Sequence, residues 1–227
     1  MRIGMVGVGR MGKVLASRLK ECSEILLFDR DPDRLAKIAE ELDLPVAAGI
    51  DELAEIGVVI MAVPDREVVS LIKDFNLIKK PLVVINIATN VAQIVLEETA
   101  LKHVRCTGVK LIGHAGEIAM DQRPVIIVND KPADLVPLAR ELFEPIGDII
   151  VGKSDSVTAI NTIAAQKALE AAVNIEETLI SGGVTDSNVI KSAIRQVAAG
   201  IMKAYTHDDL GPFAREIVRA IRAKLKK

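Results

Sequence analysis

Three glycines near the start of the chain have the spacing that phosphate chemistry requires. Gly7-Val8-Gly9-Arg10-Met11-Gly12 follows the apolar run Arg2–Val6 and opens a stretch with Met11, Val14, Leu15 and Leu19 at helical spacing. A pyrophosphate needs bare backbone N–H groups at the positive end of a helix, so side chains must be absent there. In that geometry Gly7 permits a tight turn, Gly9 lets the backbone approach the phosphates, and Gly12 brings helix and strand together. Arg10 and Met11 fill the first helical turn. Asp29 ends the next strand-like run about 20 residues beyond, where a carboxylate accepts hydrogen bonds from an adenosine ribose. G-x-G-x-x-G alone is a weak signal; with the strand before it, the helix after it and the acid beyond, it reads as a dinucleotide site. Asp29 repels a 2′-phosphate and points to NAD, whereas a guanidinium from Arg30 or Arg34 beside the ribose accommodates NADP. The position of the carboxylate tips the choice toward NAD and leaves NADP open.

A nicotinamide cofactor transfers hydride, which needs a positioned carbonyl or imine and a proton donor or charge-stabilising group within reach. Thr158, Asn161 and Thr162 stand at i, i+3 and i+4 near the start of a long helical stretch and form one small polar patch. Asn161 can donate to a substrate oxygen; otherwise the patch bonds to neighbouring backbone or faces water. His114 sits in Gly113-His114-Ala115-Gly116-Glu117 after a strand-like run, where histidine is the natural acid near neutral pH, although lone histidines are often structural. Lys167, Glu170, Asn174 and Glu177 share a face whose charges read as solvated helix pairs. Ala62-Val63-Pro64-Asp65 and Ala88-Thr89-Asn90 follow two apolar runs and fall where open α/β sheets bind ligands.

The elements that must position these residues are legible as two halves. Up to about Val151, strand-like runs at Arg2–Val6, Glu24–Phe28, Val58–Ala62 and Leu82–Ile87 alternate with amphipathic helical stretches, with weaker runs at Lys110–Ile112, Val125–Val128 and Asp148–Val151. VVIMAV and LVVINIA are apolar at nearly every position, as strands covered on both faces require. Asp31-Pro32 supplies an N-cap and a proline at the first helical position; Asp65 is placed to cap a helix over Glu67–Lys73, and Thr89 or Asn90 a helix through Glu98. After Val151 the pattern is purely helical. Ser154 or Asp155 is placed to cap a helix of roughly 26 residues, about 39 Å long, ending at Gly182-Gly183. Further helices start near Ser187 and after Pro212.

Composition narrows the function classes. The 227 residues carry 29 Lys+Arg against 31 Asp+Glu, which argues against a polycationic nucleic-acid binder. With no Trp, one Tyr and four Phe there is almost no stacking platform for single strands. The longest apolar stretch, around Gly57–Pro64, is far short of the ~18–20 residues of a membrane span. No signal-peptide pattern opens the chain, so a cytoplasmic location is expected. Cys22 and Cys106 lie far apart, near no metal-ligand cluster, and no metal is expected.

The segments IGMVGVGRMG, VVIMAVPDREVV and VVINIATN together resemble pyrroline-5-carboxylate reductase and its relatives. Those relatives include the deazaflavin-coenzyme-dependent NADP oxidoreductases and the 6-phosphogluconate and β-hydroxyacid dehydrogenases. The likeness covers roughly residues 1–100 and returns in arrangement over 154–210. It implies an α/β fold: a Rossmann-type doubly wound, mostly parallel sheet over 1–152, followed by a smaller all-α domain over 153–227 for substrate binding and homodimerisation. It also implies hydride transfer, with cofactor roles for Gly7, Gly9, Gly12, Asp29 and the Ala62-Val63-Pro64 loop. Two family patterns are absent. The reductase's Ser-Gly-Ser-Gly-Pro-Ala-Tyr stretch is replaced by Asn161-Thr162-Ile163-Ala164-Ala165. The dehydrogenases' lysine four residues before the asparagine is replaced by Val157. The expected activity is therefore an NAD(P)-dependent oxidoreductase acting on a small carbonyl, imine or hydroxy acid. The alternative is a nucleotide-binding sensor or scaffold without turnover.

Overall fold

The computed structural model describes residues 1–226. Among them, seven strands form one sheet in the order β2-β1-β3-β4-β5-β6-β7. These are β1 (Arg2–Val6), β2 (Glu24–Phe28), β3 (Val58–Met61), β4 (Leu82–Asn86), β5 (Val104–Ile112), β6 (Val125–Asn129) and β7 (Asp148–Gly152). All neighbouring pairs are parallel except β5 with β6. Helices α1 (Arg10–Leu19) and α2 (Pro32–Leu42) follow β1 and β2. Next come α3 (Ile50–Ile56), α4 (Asp65–Ile78), α5 (Gln93–Thr99), α6 (Ala115–Ala119) and α7 (Val136–Phe143).

Helices cover both faces of the sheet, which explains the unbroken apolar strand sequences. On one face Ile3, Met5, Leu27 and Ile60 pack with Leu15 and Leu19 of α1, Leu35 and Ile38 of α2, and Phe143 of α7. On the other, Val6, Leu26, Val59 and Met61 pack with Leu53 of α3, Val68 and Phe75 of α4, and Leu96 of α5. A strand side chain fully withdrawn from water, such as Ile60, contributes roughly 1.5–3 kcal/mol. Chain order reverses between β1 and β3, so the crevice at their carboxyl ends is the topological switch point where such sheets take ligands.

The strand β5 is longer than its sequence suggests, because Arg105, Thr107 and Gly108 interrupt its apolar pattern. Residues 104–108 pair with β4 and residues 109–112 turn to pair antiparallel with β6. Buried side chains stitch this region together. The Gln93 amide accepts from Gly108 N–H (2.8 Å) and donates to the Cys106 carbonyl (3.1 Å). Lys110, almost fully buried, donates to Asp155 at 2.7 Å.

Two expected caps are replaced by tertiary bonds, and the residues leading into the long helix make such bonds as well. Asp31 does cap α2, accepting from Arg34 N–H. Asp65, however, is the first residue of α4, after Pro64, and its carboxylate accepts from Asn90. Asn90 therefore does not cap α5, which begins beyond Ala92. Likewise Ser154 bonds to Asn129, and Asp155 accepts from Gln93 N–H and Lys110.

The chain divides into two compact units between Asn161 and Thr162, nine residues beyond the boundary expected at 152/153. The division falls inside α8 (Ser156–Ser181), whose first turn belongs to the sheet-containing unit. The second unit starts at Thr162. In it α8 ends in the expected glycine turn: Gly183 has φ +89°, and Gly183 and Val184 N–H donate to the Ile180 and Leu179 carbonyls. The next helix, expected to start near Ser187, comprises α9 (Ser187–Ser192), a π-helical segment at Ala193–Ala198 and α10 (Ala199–Thr206), followed by α11 (Pro212–Leu225). Many large apolar side chains of this unit are exposed, Leu169, Val173, Val197, Ile201 and Phe213 among them.

Candidate functional site

The loop between β1 and α1 uses its three glycines in three different ways. Gly7 has φ +93°, and a Cβ there would stand 2.5 Å from the Ala62 carbonyl oxygen. At Gly12 a Cβ would fall onto the Gly7 carbonyl oxygen and 3.2 Å from Ala62 Cβ, so the close approach of α1 to the sheet excludes any side chain. Gly9 differs: a Cβ built there meets nothing within 4 Å. No packing demand explains that glycine, and its bare backbone faces the open cavity. Gly9 is also the N-cap residue of α1, which has no side-chain cap and no acidic residue in its first turn. Helix geometry leaves the first N–H groups without intrahelical partners and makes this end partially positive. The residues therefore fit a bound diphosphate.

Asp29 is buried at the end of β2 and already has four donors. One carboxylate oxygen accepts from Val8 N–H (2.8 Å) and Arg34 Nε (3.3 Å); the other accepts from Asp31 N–H (2.9 Å) and Arg34 Nη2 (2.7 Å). Burial alone would push its carboxyl up. The Arg34 bond, the two backbone N–H groups and the Arg34 charge outweigh that and hold it below the usual value. Asp29 thus ties the glycine loop to α2, with its charge offset by Arg34.

A cavity of about 810 Å³ opens at this point. Gly7, Gly9, Asp29, Arg30 and the Ala62-Val63-Pro64 loop line it, as does Arg34. Arg10, Met11 and Gly12, the remaining cofactor candidates, belong to the helix start beside it and are not among its lining residues. One wall is formed by α4, whose local sequence carries no ligand-binding pattern. Glu67, Ser70, Leu71 and Asp74 recur at i, i+3, i+4 and i+7 and present one helix face, with Arg66 at the edge. Arg30 Nη2 lies 2.5 Å from Glu67 Oε1, and Arg66 Nε lies 3.9 Å from the same oxygen.

A second cavity of about 240 Å³ shares Ala62 and Val63 with the first. Met11, Asp65, Thr89, Leu111, Gly113 and Asn161 also line it. The Asn161 amide donates to the Leu111 carbonyl at 3.0 Å, which orients the side chain and leaves a second N–H and the amide oxygen. Thr158 is not in this lining, and its hydroxyl donates to the Thr89 carbonyl at 2.6 Å. With its proton so committed, Thr158 tethers α8 to the loop after β4. His114 caps the short helix α6, its Nδ1 accepting from Gly116 N–H, and is exposed; its neighbour Gly113 reaches the cavity and His114 does not. Among the described residues no group of three or more His, Cys, Asp or Glu side chains could hold a metal ion, and no helix is long and apolar enough to cross a membrane.

The glycine loop, the acid after β2 and the strand order define an α/β fold of the Rossmann type. Residues 2–90, which contain the loop, Asp29 and Ala62-Val63-Pro64, match the family model described as NADP oxidoreductase, coenzyme F420-dependent. The chain is similar to a pyrroline-5-carboxylate reductase from Coxiella burnetii, with TM-score 0.72 and 14% identity, over 99% of this chain and 91% of that one. A pyrroline carboxylate reductase from Plasmodium falciparum, solved with NADP bound, gives TM-score 0.66 and 15% identity over 100% and 91%. An imine reductase from Streptomyces aurantiacus gives 0.69 and 14% over 97% and 78%. At such identities the likeness is one of fold. No curated protein matches the sequence.

Proposed function

We propose that the chain is an NAD(P)-dependent oxidoreductase that moves a hydride between a nicotinamide cofactor and a small carbonyl, imine or hydroxy-acid substrate. The observation that carries this reading is Gly9: a bare residue that packing does not require, at the uncapped start of α1, facing the larger cavity. The family match over residues 2–90 and the NADP named for the Plasmodium reductase support a nicotinamide dinucleotide as the ligand.

In this reading the N–H groups at the start of α1, from Arg10 and Met11, hold the diphosphate, and the Ala62-Val63-Pro64 backbone lies along the path between the two cavities. Bound there, the cofactor would supply the hydride. The smaller cavity receives the substrate, and Asn161, held by Leu111, offers its free N–H to an oxygen or its amide oxygen to a substrate N–H. The Met11 and Leu111 side chains supply apolar wall to that pocket. His114 is a candidate proton donor only if it turns toward Gly113. Arg30, Arg34 and Arg66 face Asp29, Glu67 and Asp74 around the larger cavity, and this balance of charge supports a site that accepts NAD or NADP. The exposed apolar side chains of the helical unit support its role in homodimerisation.

The second reading, a dinucleotide sensor without turnover, draws on Thr158 having its proton committed and His114 lying outside the smaller cavity. Titrating the protein with each reduced dinucleotide and then following the nicotinamide absorbance with panels of cyclic imines, ketones and oxo acids separates the two. Oxidation of the cofactor by any panel member supports the enzyme; tight binding with every panel silent supports the sensor.

A further inference from the structure

The ion pairs on the α4 side of the larger cavity point to a specificity residue that the glycine-loop pattern does not contain. Arg30 directly follows Asp29, so its guanidinium belongs to the part of the cavity where a ribose 2′-substituent would lie. That guanidinium is drawn across the cavity to α4, 2.5 Å from Glu67 Oε1. Glu67 is the less exposed partner, its side chain 17% exposed against 66% for Arg30, so the arginine is the member that reaches and the glutamate the fixed anchor. Arg66 leans on the same carboxylate oxygen at 3.9 Å. Arg34, the other arginine of this region, is committed to Asp29 through two bonds. A planar guanidinium recognises phosphate by a two-pronged set of hydrogen bonds, and one already paired with a carboxylate must break that pair first.

We propose that Glu67 sets the coenzyme preference of this site by holding Arg30, and through it limits the affinity for a 2′-phosphorylated dinucleotide. The inference rests on the dinucleotide reading above and adds to it the residue that selects between the two coenzymes. Removing the Glu67 charge releases Arg30, so NADPH gains and NADH, which carries no 2′-phosphate, has nothing comparable to gain.

The test is the ratio of dissociation constants for NADPH and NADH, read by fluorescence titration of the full chain. Glu67→Gln, which keeps the shape and removes the charge, raises the preference for NADPH about tenfold at moderate salt. The same substitution in an Arg30→Ala background leaves the ratio of that background within about twofold. A ratio unmoved by Glu67→Gln, in a protein whose wild type binds both dinucleotides, overturns the proposal. So does an equal gain with and without Arg30, which would mean that Glu67 acts on the phosphate directly. If the wild type binds neither dinucleotide, the underlying reading fails first, and that result is distinct from the other two.

Discussion

Exchanging Gly12 and Gly9 separately for alanine distinguishes a glycine required by packing from one required by a ligand. At Gly12 the added methyl would overlap the Gly7 carbonyl oxygen, stand 3.0 Å from its carbon and 3.2 Å from Ala62 Cβ. Carbon atoms pack at about 3.5–4.0 Å, so α1 must retreat from the sheet by roughly 1 Å. Two of the three obstructing atoms are backbone and cannot rotate away, which places the loss at the upper end of the ~1–3 kcal/mol seen for overpacked cores. For a unit of this size that corresponds to a fall in Tm of roughly 6–12 °C. At Gly9 the methyl meets nothing within 4 Å, and the backbone angles, φ −65° and ψ −168°, are open to any residue. Alanine is a poorer N-cap than glycine but reduces the freedom of the unfolded chain; these effects oppose each other and leave a net change under about 1 kcal/mol. Dinucleotide affinity should nonetheless drop at least tenfold, about 1.4 kcal/mol, because the methyl occupies the approach to the diphosphate. Thermal unfolding and fluorescence titration on both variants give the answer. A Gly12→Ala protein as stable as wild type, or a Gly9→Ala protein that binds dinucleotide with undiminished affinity, would refute the division of roles.

Three further outcomes follow from the charges and thiols. Asp29 has a lowered carboxyl pKa when folded, so its contribution to stability is complete above its ordinary value of 3.8 and is lost as pH falls through the folded value. Arg34→Ala should therefore destabilise by about 1–2 kcal/mol at neutral pH, discounted for the exposure of the arginine. Denaturant titrations should show that deficit shrinking toward zero in acid; a deficit independent of pH would contradict the pairing. Burial, with the nearby charge of Glu97, pushes the Cys106 thiol up to about 12. At pH 8 a thiol-reactive disulfide should modify Cys22, which is exposed, and reach Cys106 only after unfolding, as the count of released thiolate will show. Asp155→Asn leaves the Lys110 ammonium buried without its counter-charge and should cost about 2 kcal/mol, less than a fully buried pair because Asp155 is partly exposed. Urea midpoints at constant m-value test this, and Lys110→Met should recover part of the loss in the same background.

Much of the Rossmann-type architecture is visible in the sequence because its signals are local. β1 to β4 are apolar at nearly every position, and the glycine loop and Asp29 are set by their distance from strand ends. β5 is only half visible, since Arg105, Thr107 and Gly108 disguise a strand that changes partners midway. The misplaced caps share one cause: Asp65 and Asn90 have good capping side chains, but they bond to each other across 25 residues instead. Ser154 and Asp155 are likewise engaged by distant partners, Asn129, Gln93 and Lys110. The saturation of Asp29 was hidden for the same reason, since it requires the backbone of Val8 and the reach of Arg34. Glu67, Ser70 and Asp74 carry a helical repeat, but which face of α4 borders a cavity follows from its packing beside β3 and not from the repeat itself. The hydrogen bond from Thr158 to the Thr89 carbonyl, 69 residues away, carries no local signal either.

The central claim, that a diphosphate rests on the backbone between β1 and α1, is tested most directly by isothermal calorimetry of the whole chain with NADH and NADPH. Saturable heat with one dinucleotide bound per chain, abolished or greatly weakened in the Gly9→Ala protein, is the expected result. Flat titrations with both reduced dinucleotides, from a protein shown to be folded, would contradict it.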